Sequence, residues 1–395
     1  MRTLLYNGKL ILPDRVISGC AAVEDGKIVH MGEDSPAGQF DRRIDLAGNY
    51  LSPGFVELHT HGAGGADYMD STEESYHTAC LTHLKHGTTT VLPTLLAASQ
   101  EEIRRSLTAF RQAKAELEAA GMTLPGVHLE GPYLDRDQCG AINPVYIRDP
   151  EPGEYEPLLA DFGAEIRRWT AAVERKGALE LGDCLEKHGI LASIGHSNAV
   201  YSEVVEAVRH GYTHVTHLYS SMSTIVRRGG FRYPGVIESA FCLPELTVEI
   251  IADGCHLPAE ILRMVYRTMG VERVALTCDS MRCAGQDVKE SFLGSRESGQ
   301  RVIIEDGVAK LPDRTAFAGS VATDDRLVRV MYRKAGVPLH DAVRMMTLTP
   351  AKIIGLDGCK GSLEIGKDAD MVCFNEDIQV CGVMAGGKGR TGCMV

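Results

Sequence analysis

Two histidines stand one residue apart in the segment Glu57-Leu-His-Thr-His61, and a glycine-rich stretch, Gly62-Ala-Gly-Gly-Ala-Asp67, follows them. Residues i and i+2 of an extended strand project from the same face. His59 and His61 would therefore form a two-imidazole clip for a divalent cation. Glu57 has the same parity and lies one layer deeper, where it could accept a hydrogen bond from a ligating imidazole and fix its tautomer. The glycines would let the backbone come close to the cation or to a substrate.

Other groups of the same chemistry recur along the chain. Glu130 ends "GVHLE", His196 ends "LASIGH", His217 ends "THVTH", His256 follows "EIIADG" and Asp279 ends "VALTCD". A single buried histidine at a strand end is more often a hydrogen-bonded core residue than a ligand. Imidazoles and carboxylates at successive strand ends are a much stronger signal of one shared metal site.

Several residues are set aside. His128 lies deeper than Glu130 on the same face and reads as core. His83 and His86 sit near a helix end before Gly87 and would complement its dipole. His214 has no evident role. Cys278 alternates away from Asp279 and so points away from the mouth. "GHSN" lacks the G-x-S-x-G of a nucleophile elbow. "GAGGAD" lacks the Lys-Ser/Thr of a phosphate-binding loop.

The elements that must position these groups come next. The apolar runs "GFVELHTH", "GTTTVLPTLL", "GVHLEGPY", "LASIGHS", "THVTHLY", "LTVEIIADGCH" and "RVALTCDS" alternate with amphipathic stretches such as "EEIRRSLTAFRQAKAELEAA" and "AEILRMVYRTM". Strand–helix alternation predicts a parallel sheet covered by helices. Its extent, residues 51–355, favours a (β/α)8 TIM-like barrel. "DRLVRVMYRKAG" and "LHDAVRMMTLTPAKIIG" read as late barrel helices. All strand C-termini of such a barrel share one face, so the scattered groups would converge on one mouth. Residues 1–50 and 356–395 read instead as short strands, with Asn7-Gly8 and Asp25-Gly26 as tight turns. They predict one small β-sandwich domain built from both termini.

Bulk properties narrow the partners. The chain has 395 residues and a formal net charge of -12, with no long basic stripe, which argues against nucleic acid. No apolar run approaches the ~20 residues of a membrane span, and the N-terminus is too interrupted for a signal peptide. Twelve cysteines are scattered without a CxxC pair, which fits a reducing cytoplasm.

The ordered motifs PGFxExHxH, HLEGP, GHSNA, THLY, ADGxH and TCDS resemble the amidohydrolase superfamily and, within it, the N-acetylglucosamine-6-phosphate deacetylases. The resemblance covers nearly the whole chain, including the "TLTPAKIIGL…GSLEIGKDADMV" ending. It implies hydrolysis of the acetamide of an N-acetylated amino sugar phosphate. The substrate implied first is N-acetylglucosamine 6-phosphate, giving glucosamine 6-phosphate and acetate. Another N-acyl amino sugar, such as N-acetylgalactosamine 6-phosphate, or a cyclic amide is the alternative. A non-catalytic metal-binding regulator would have lost Asp279 or a ligand.

Carried over by motif, Glu130, His196 and His217 bind the metal common to these deacetylases. His59 and His61 match an HxH kept by some members, where Glu130 bridges to a second ion. One or two divalent ions are therefore implied. Mixed histidine and carboxylate ligation suits zinc, iron(II), manganese or cobalt. Asp279 matches the catalytic acid/base and metal-facing carboxylate, and His256 the residue that contacts substrate and polarises its carbonyl. Members are usually homodimers, with a loop arginine reaching the neighbouring subunit's substrate phosphate. Here that loop is longer, and Arg232 is the best positional match, with Arg227 and Arg228 as competitors. Ser220 and Ser221 replace the Asn-Ala pair beside the sugar phosphate.

Overall fold

The computed structural model describes residues 1–395. Eight parallel strands form the central sheet: β1 Phe55–Thr60, β2 Thr88–Leu96, β3 Val127–Glu130, β4 Ile166–Ala171, β5 Leu191–Ile194, β6 Tyr212–Val215, β7 Thr247–Ile251 and β8 Val274–Thr277. They are hydrogen-bonded in chain order. The sheet closes on itself beyond β8, where the Asp279 N–H donates to the His59 carbonyl at 3.0 Å and the His61 N–H to the Ser280 carbonyl at 2.8 Å. This is the expected barrel.

Seven of the strands coincide with the apolar runs. The exception is β4, with sequence IRRWTA. Its Arg168 is fully buried inside the barrel, so a hydropathy reading passes over it. The other strands are rich in apolar residues because both faces of a parallel sheet are covered; β2 is buried along nearly its whole length.

The helices are specified locally. Gln100–Ala119 begins at a capping box, in which Ser99 and Glu102 exchange backbone and side-chain hydrogen bonds. Its buried stripe of Ile103, Leu107, Phe110 and Leu117 recurs at helical spacing. Asp324–Arg333, Leu339–Met346 and Leu348–Ile353 are the late barrel helices.

A separate eight-stranded sheet combines the termini. Tyr50–Pro53 pairs antiparallel with Met371–Phe374, which joins the N-terminal strands to the C-terminal ones. Leu5, Leu10, Leu51, Met371 and Cys373 lie in its own core. Asp25-Gly26 makes the tight turn between Val16–Glu24 and Lys27–Gly32. Asn7-Gly8 does not turn the chain. The strand Arg2–Ile11 runs straight through it, with a register shift between Leu5 and Gly8 and Asn7 in the left-handed region at φ 56°. The pair is a bulge, and pairing resumes beyond it.

Two insertions follow barrel strands. A hairpin, Val226–Arg228 with Phe231–Tyr233, follows β6. A three-stranded sheet, Glu290–Leu293, Gln300–Glu305 and Val308–Lys310, follows β8.

Candidate metal-binding active site

The strand ends bring His59, His61, Glu130, His196, His217 and Asp279 together in one buried cluster. His196 Nε2 lies 3.2 Å and His217 Nε2 3.0 Å from Glu130 Oε1, and the two imidazole nitrogens are 3.2 Å apart. His61 Nε2 is 3.1 Å from Glu130 Oε2. His59 Nε2 is 3.3 Å from His61 Nε2 and 3.4 Å from Glu130 Oε1. Asp279 Oδ1 faces His59 at 3.5 Å and His61 at 3.4 Å. Glu130 thus stands between an HxH half and a His196–His217 half.

The backbone is strained where it aims these groups. His196, His217 and Asp279 have φ of 49°, 29° and 43°. Non-glycine residues in the left-handed region cost about 1–3 kcal/mol each and concentrate at functional sites. Here each lies just beyond a strand end, where the chain turns out of the barrel.

This donor set fits a divalent cation. Imidazole nitrogens and carboxylate oxygens converging in one buried cluster are the ligand types such a cation takes. Donors ~2.0–2.1 Å from a tetrahedral zinc stand about 3.3–3.4 Å apart, close to the spacings of the cluster. The tautomers agree. His196 Nδ1 is 2.7 Å from the Gln138 carbonyl, which can only accept, so its proton sits there and Nε2 offers its lone pair inward. Burial alone would depress His61, but Asp279 and Glu130 lift it to about 9. Burial alone would raise the Glu130 carboxyl, yet His59, His196 and His217 hold it well below the carboxylate range.

The cluster opens on a cavity of about 210 Å³ lined also by Ser220, Ser221, His256, Ile251 and Phe317. Asp253 accepts from His256 Nδ1 at 2.8 Å, which turns Nε2 outward. Gly140, at φ 57°, lets the loop after β3 approach Ser221: an added Cβ would stand 2.8 Å from its Oγ. No lysine or arginine lines the cavity. Arg227, Arg228 and Arg232 lie on the exposed hairpin and are not brought to the mouth of their own chain.

Three expectations need correction. Glu57 does not touch an imidazole. Its carboxylate accepts from the His59 N–H at 2.8 Å, the Cys278 N–H at 2.8 Å and Thr277 Oγ1 at 2.5 Å. It pins β1 to β8 because the barrel seam lies nearer than its own strand's next layer. The Gly62–Asp67 stretch does not approach the mouth. It forms a two-rung ladder whose Gly64 and Gly65 N–H groups bond the Ala284 and Arg282 carbonyls. His83 is buried, with Nε2 2.9 Å from Thr60 Oγ1, rather than capping its helix. His128 is core as expected, between Thr94 and Thr170.

The imidazole partner that Glu57 fails to be is Glu249, in the middle of β7. Its Oε1 accepts from His59 Nδ1 at 2.9 Å, and Arg168 of β4 clamps it. Burial works against the Glu249 charge, and Arg168 foremost overrides it, holding the carboxyl well below its ordinary range. A charged residue interrupting each of two apolar strands was the available signal.

Residues 50–389 match the sequence pattern of the Amidohydrolase family. The chain belongs to the amidohydrolase family. This amidohydrolase is 31% identical over 382 residues to the N-acetylglucosamine-6-phosphate deacetylase of Bacillus subtilis (strain 168), covering 95% of this chain and 94% of that protein. It is 33% identical over 349 residues to that of Haemophilus influenzae, covering 88% of each. Among solved structures, a mutant N-acetyl-D-glucosamine-6-phosphate deacetylase from Mycobacterium smegmatis in complex with N-acetyl-D-glucosamine-6-phosphate superposes with a TM-score of 0.89, at 32% identity over 98% of this chain and 99% of that one. The deacetylase of Pasteurella multocida superposes with a TM-score of 0.91, at 28% identity over 99% of this chain and 100% of that one. The family is metal-dependent, in keeping with the donor set. No helix of this amidohydrolase is long and apolar enough to cross a membrane.

Proposed function

We propose that this amidohydrolase removes the acetyl group of N-acetylglucosamine 6-phosphate, releasing acetate and glucosamine 6-phosphate. The observation that carries the reading is the shared cavity. Asp279 and His256 both line it, over the donor cluster. The activity of the relatives supports the substrate.

His59, His61, Glu130, His196, His217 and Asp279 would hold one or two divalent ions, zinc foremost. A cation held there supplies acidified water and polarises the acyl oxygen. Asp279 takes the attacking water's proton and returns it to the departing nitrogen, because an amide anion leaves too poorly to go unprotonated. As an imidazolium, with Nδ1–H on Asp253, His256 would donate Nε2–H to the acyl oxygen as negative charge develops there. Burial of the cluster keeps bulk water from competing for these contacts.

The phosphate requires cations that the cavity lacks. Arg227 and Arg232 stand directly opposite each other on the hairpin. Like charges in cross-strand register repel, and an anion between them relieves that repulsion. In a cytoplasmic homodimer, the hairpin of one subunit would serve the mouth of the other. Arg232 is the first candidate for the phosphate, with Arg227 and Arg228 beside it. Ser220 and Ser221 would contact the sugar.

Acetate release should be measured with N-acetylglucosamine 6-phosphate, N-acetylgalactosamine 6-phosphate and unphosphorylated N-acetylglucosamine. The first should give the highest kcat/KM. A higher value for the galacto epimer would move the assignment to that sugar, which Ser220 and Ser221 leave room for. A zinc-loaded preparation inert on all three would overturn the reading.

A further inference from the structure

The four imidazoles of the cluster are held unequally. His196 is fixed by the Gln138 carbonyl, His59 by Glu249, and Nδ1 of His61 and of His217 has no partner. The support under His59 is the most elaborate. All five N–H donors of Arg168 find acceptors: Nη1 and Nη2 grip Glu249 at 2.6 and 2.9 Å, and the others reach the Leu58 carbonyl, Thr216 Oγ1 and Ser193 Oγ. Both residues are fully buried, and neither lines the cavity. A buried ion pair is weak as a source of stability, since well-packed apolar residues often do as well. Its position beneath one ligand calls for another role.

We propose that Arg168 and Glu249 are positioning residues for the His59–His61 half of the site and decide whether a second divalent cation binds there. The inference rests on the two-ion form of the function proposed above. A carboxylate only accepts, so Glu249 keeps the His59 proton on Nδ1 and leaves the Nε2 lone pair facing Glu130, His61 and Asp279. The other tautomer would aim an N–H at that point. The Arg168 fork fixes the carboxylate plane, and its bond to the Leu58 carbonyl holds β1 one residue before His59. In the Glu130–His196–His217 half the His196 imidazole is held by Gln138, on a different loop, and Glu249 reaches that half only through the His217 backbone N–H at 3.3 Å. A lesion at Glu249 therefore removes the brace of the His59 imidazole and of no other ligand imidazole.

Glu249→Gln keeps the shape and an oxygen for Arg168 but can turn an amide NH₂ toward His59 Nδ1. Zinc content is read by elemental analysis across buffered zinc concentrations. The His59 tautomer is read by NMR of metal-free protein carrying ¹⁵N-labelled histidine, at a pH high enough to leave the imidazole neutral. Wild type should take up two ions and show a proton on Nδ1. Glu249→Gln should lose at least about 10-fold in affinity for one ion only, with the proton moved to Nε2. Two ions bound with unchanged affinity and Nδ1 still protonated would overturn the proposal. Wild type binding fewer than two ions would sink the two-ion reading instead. The tautomer then decides the role of Glu249: a shift in the variant supports it, and no shift refutes it. Should circular dichroism show that Glu249→Gln does not fold, Arg168→Lys carries the same comparison, since it keeps the charge and loses the fork.

Discussion

The donor cluster and the arginine hairpin are both rich in charge, and the structure treats them in opposite ways. The cluster is braced from below by Glu57, Glu249 and Arg168, and its residues are at most a few per cent exposed apart from Asp279 and His196, which are still buried. The hairpin is exposed on every residue of both strands, with Phe231 73% exposed and Ile225 just before it 52%. Its like-charged pair faces itself across the ladder. One region is finished within a single chain. In the other, Arg227 and Arg232 make no hydrogen bond or ion pair within their own chain, and Arg228 rests only on the Tyr233 ring, 5.7 Å from its centroid. On the proposed reading, the difference teaches that bond-breaking chemistry is fixed by the barrel, while anion recognition would fall to a surface free to meet something else.

The comparison can be broken most severely at the cluster. Glu130→Ala or His196→Ala should abolish metal uptake and cost at least about 10³-fold in kcat, because the cation is worth several kcal/mol of transition-state stabilisation. Elemental analysis and turnover check this together. A variant that keeps its metal would remove the residue from the ligand set.

Asp279→Asn comes next. It should fold and retain metal, and kcat should fall about 10²–10⁴-fold, the usual worth of a proton-transfer group. Near-normal turnover would take Asp279 out of the mechanism.

The hairpin should respond in a different kinetic parameter. Arg232→Ala should raise KM for the phosphorylated substrate about 10- to 100-fold, the worth of one hydrogen bond to a charged group, with kcat little changed. The unphosphorylated sugar should be unaffected. Equal effects on both substrates would make the hairpin ordinary surface. The smallest effect is on stability: Arg227→Thr should stabilise by about 0.2–1 kcal/mol by removing the like-charge pair. A lower thermal midpoint would show that the arginine is already paired.

The barrel was legible because parallel strands buried on both faces read as apolar runs, and the site because its groups close those runs. The alternation that puts His59 and His61 on one face also put Cys278 away from the mouth, correctly. What stayed hidden depends on contacts across the barrel interior. Glu57 could be placed by parity, but parity along β1 says nothing of β8, whose Thr277 hydroxyl and following Cys278 N–H donate to it. Arg168 and Glu249 lie on β4 and β7, 81 residues apart, and their pairing makes sense only once the sheet is closed. Asn7-Gly8 has the residues of a turn, and only the resumed pairing of Lys9–Ile11 shows it to be a bulge. The hairpin was legible as a cluster of arginines and illegible as a geometry, since its sequence fixes no partner.

The central claim is that one buried cluster holds the catalytic cation. Anomalous diffraction at the zinc edge, from crystals of zinc-loaded protein, tests it most directly. The account predicts a peak within ~2.0–2.2 Å of the His196 and His217 nitrogens and a Glu130 oxygen. A map empty at that point, or a peak held by other residues, would contradict it.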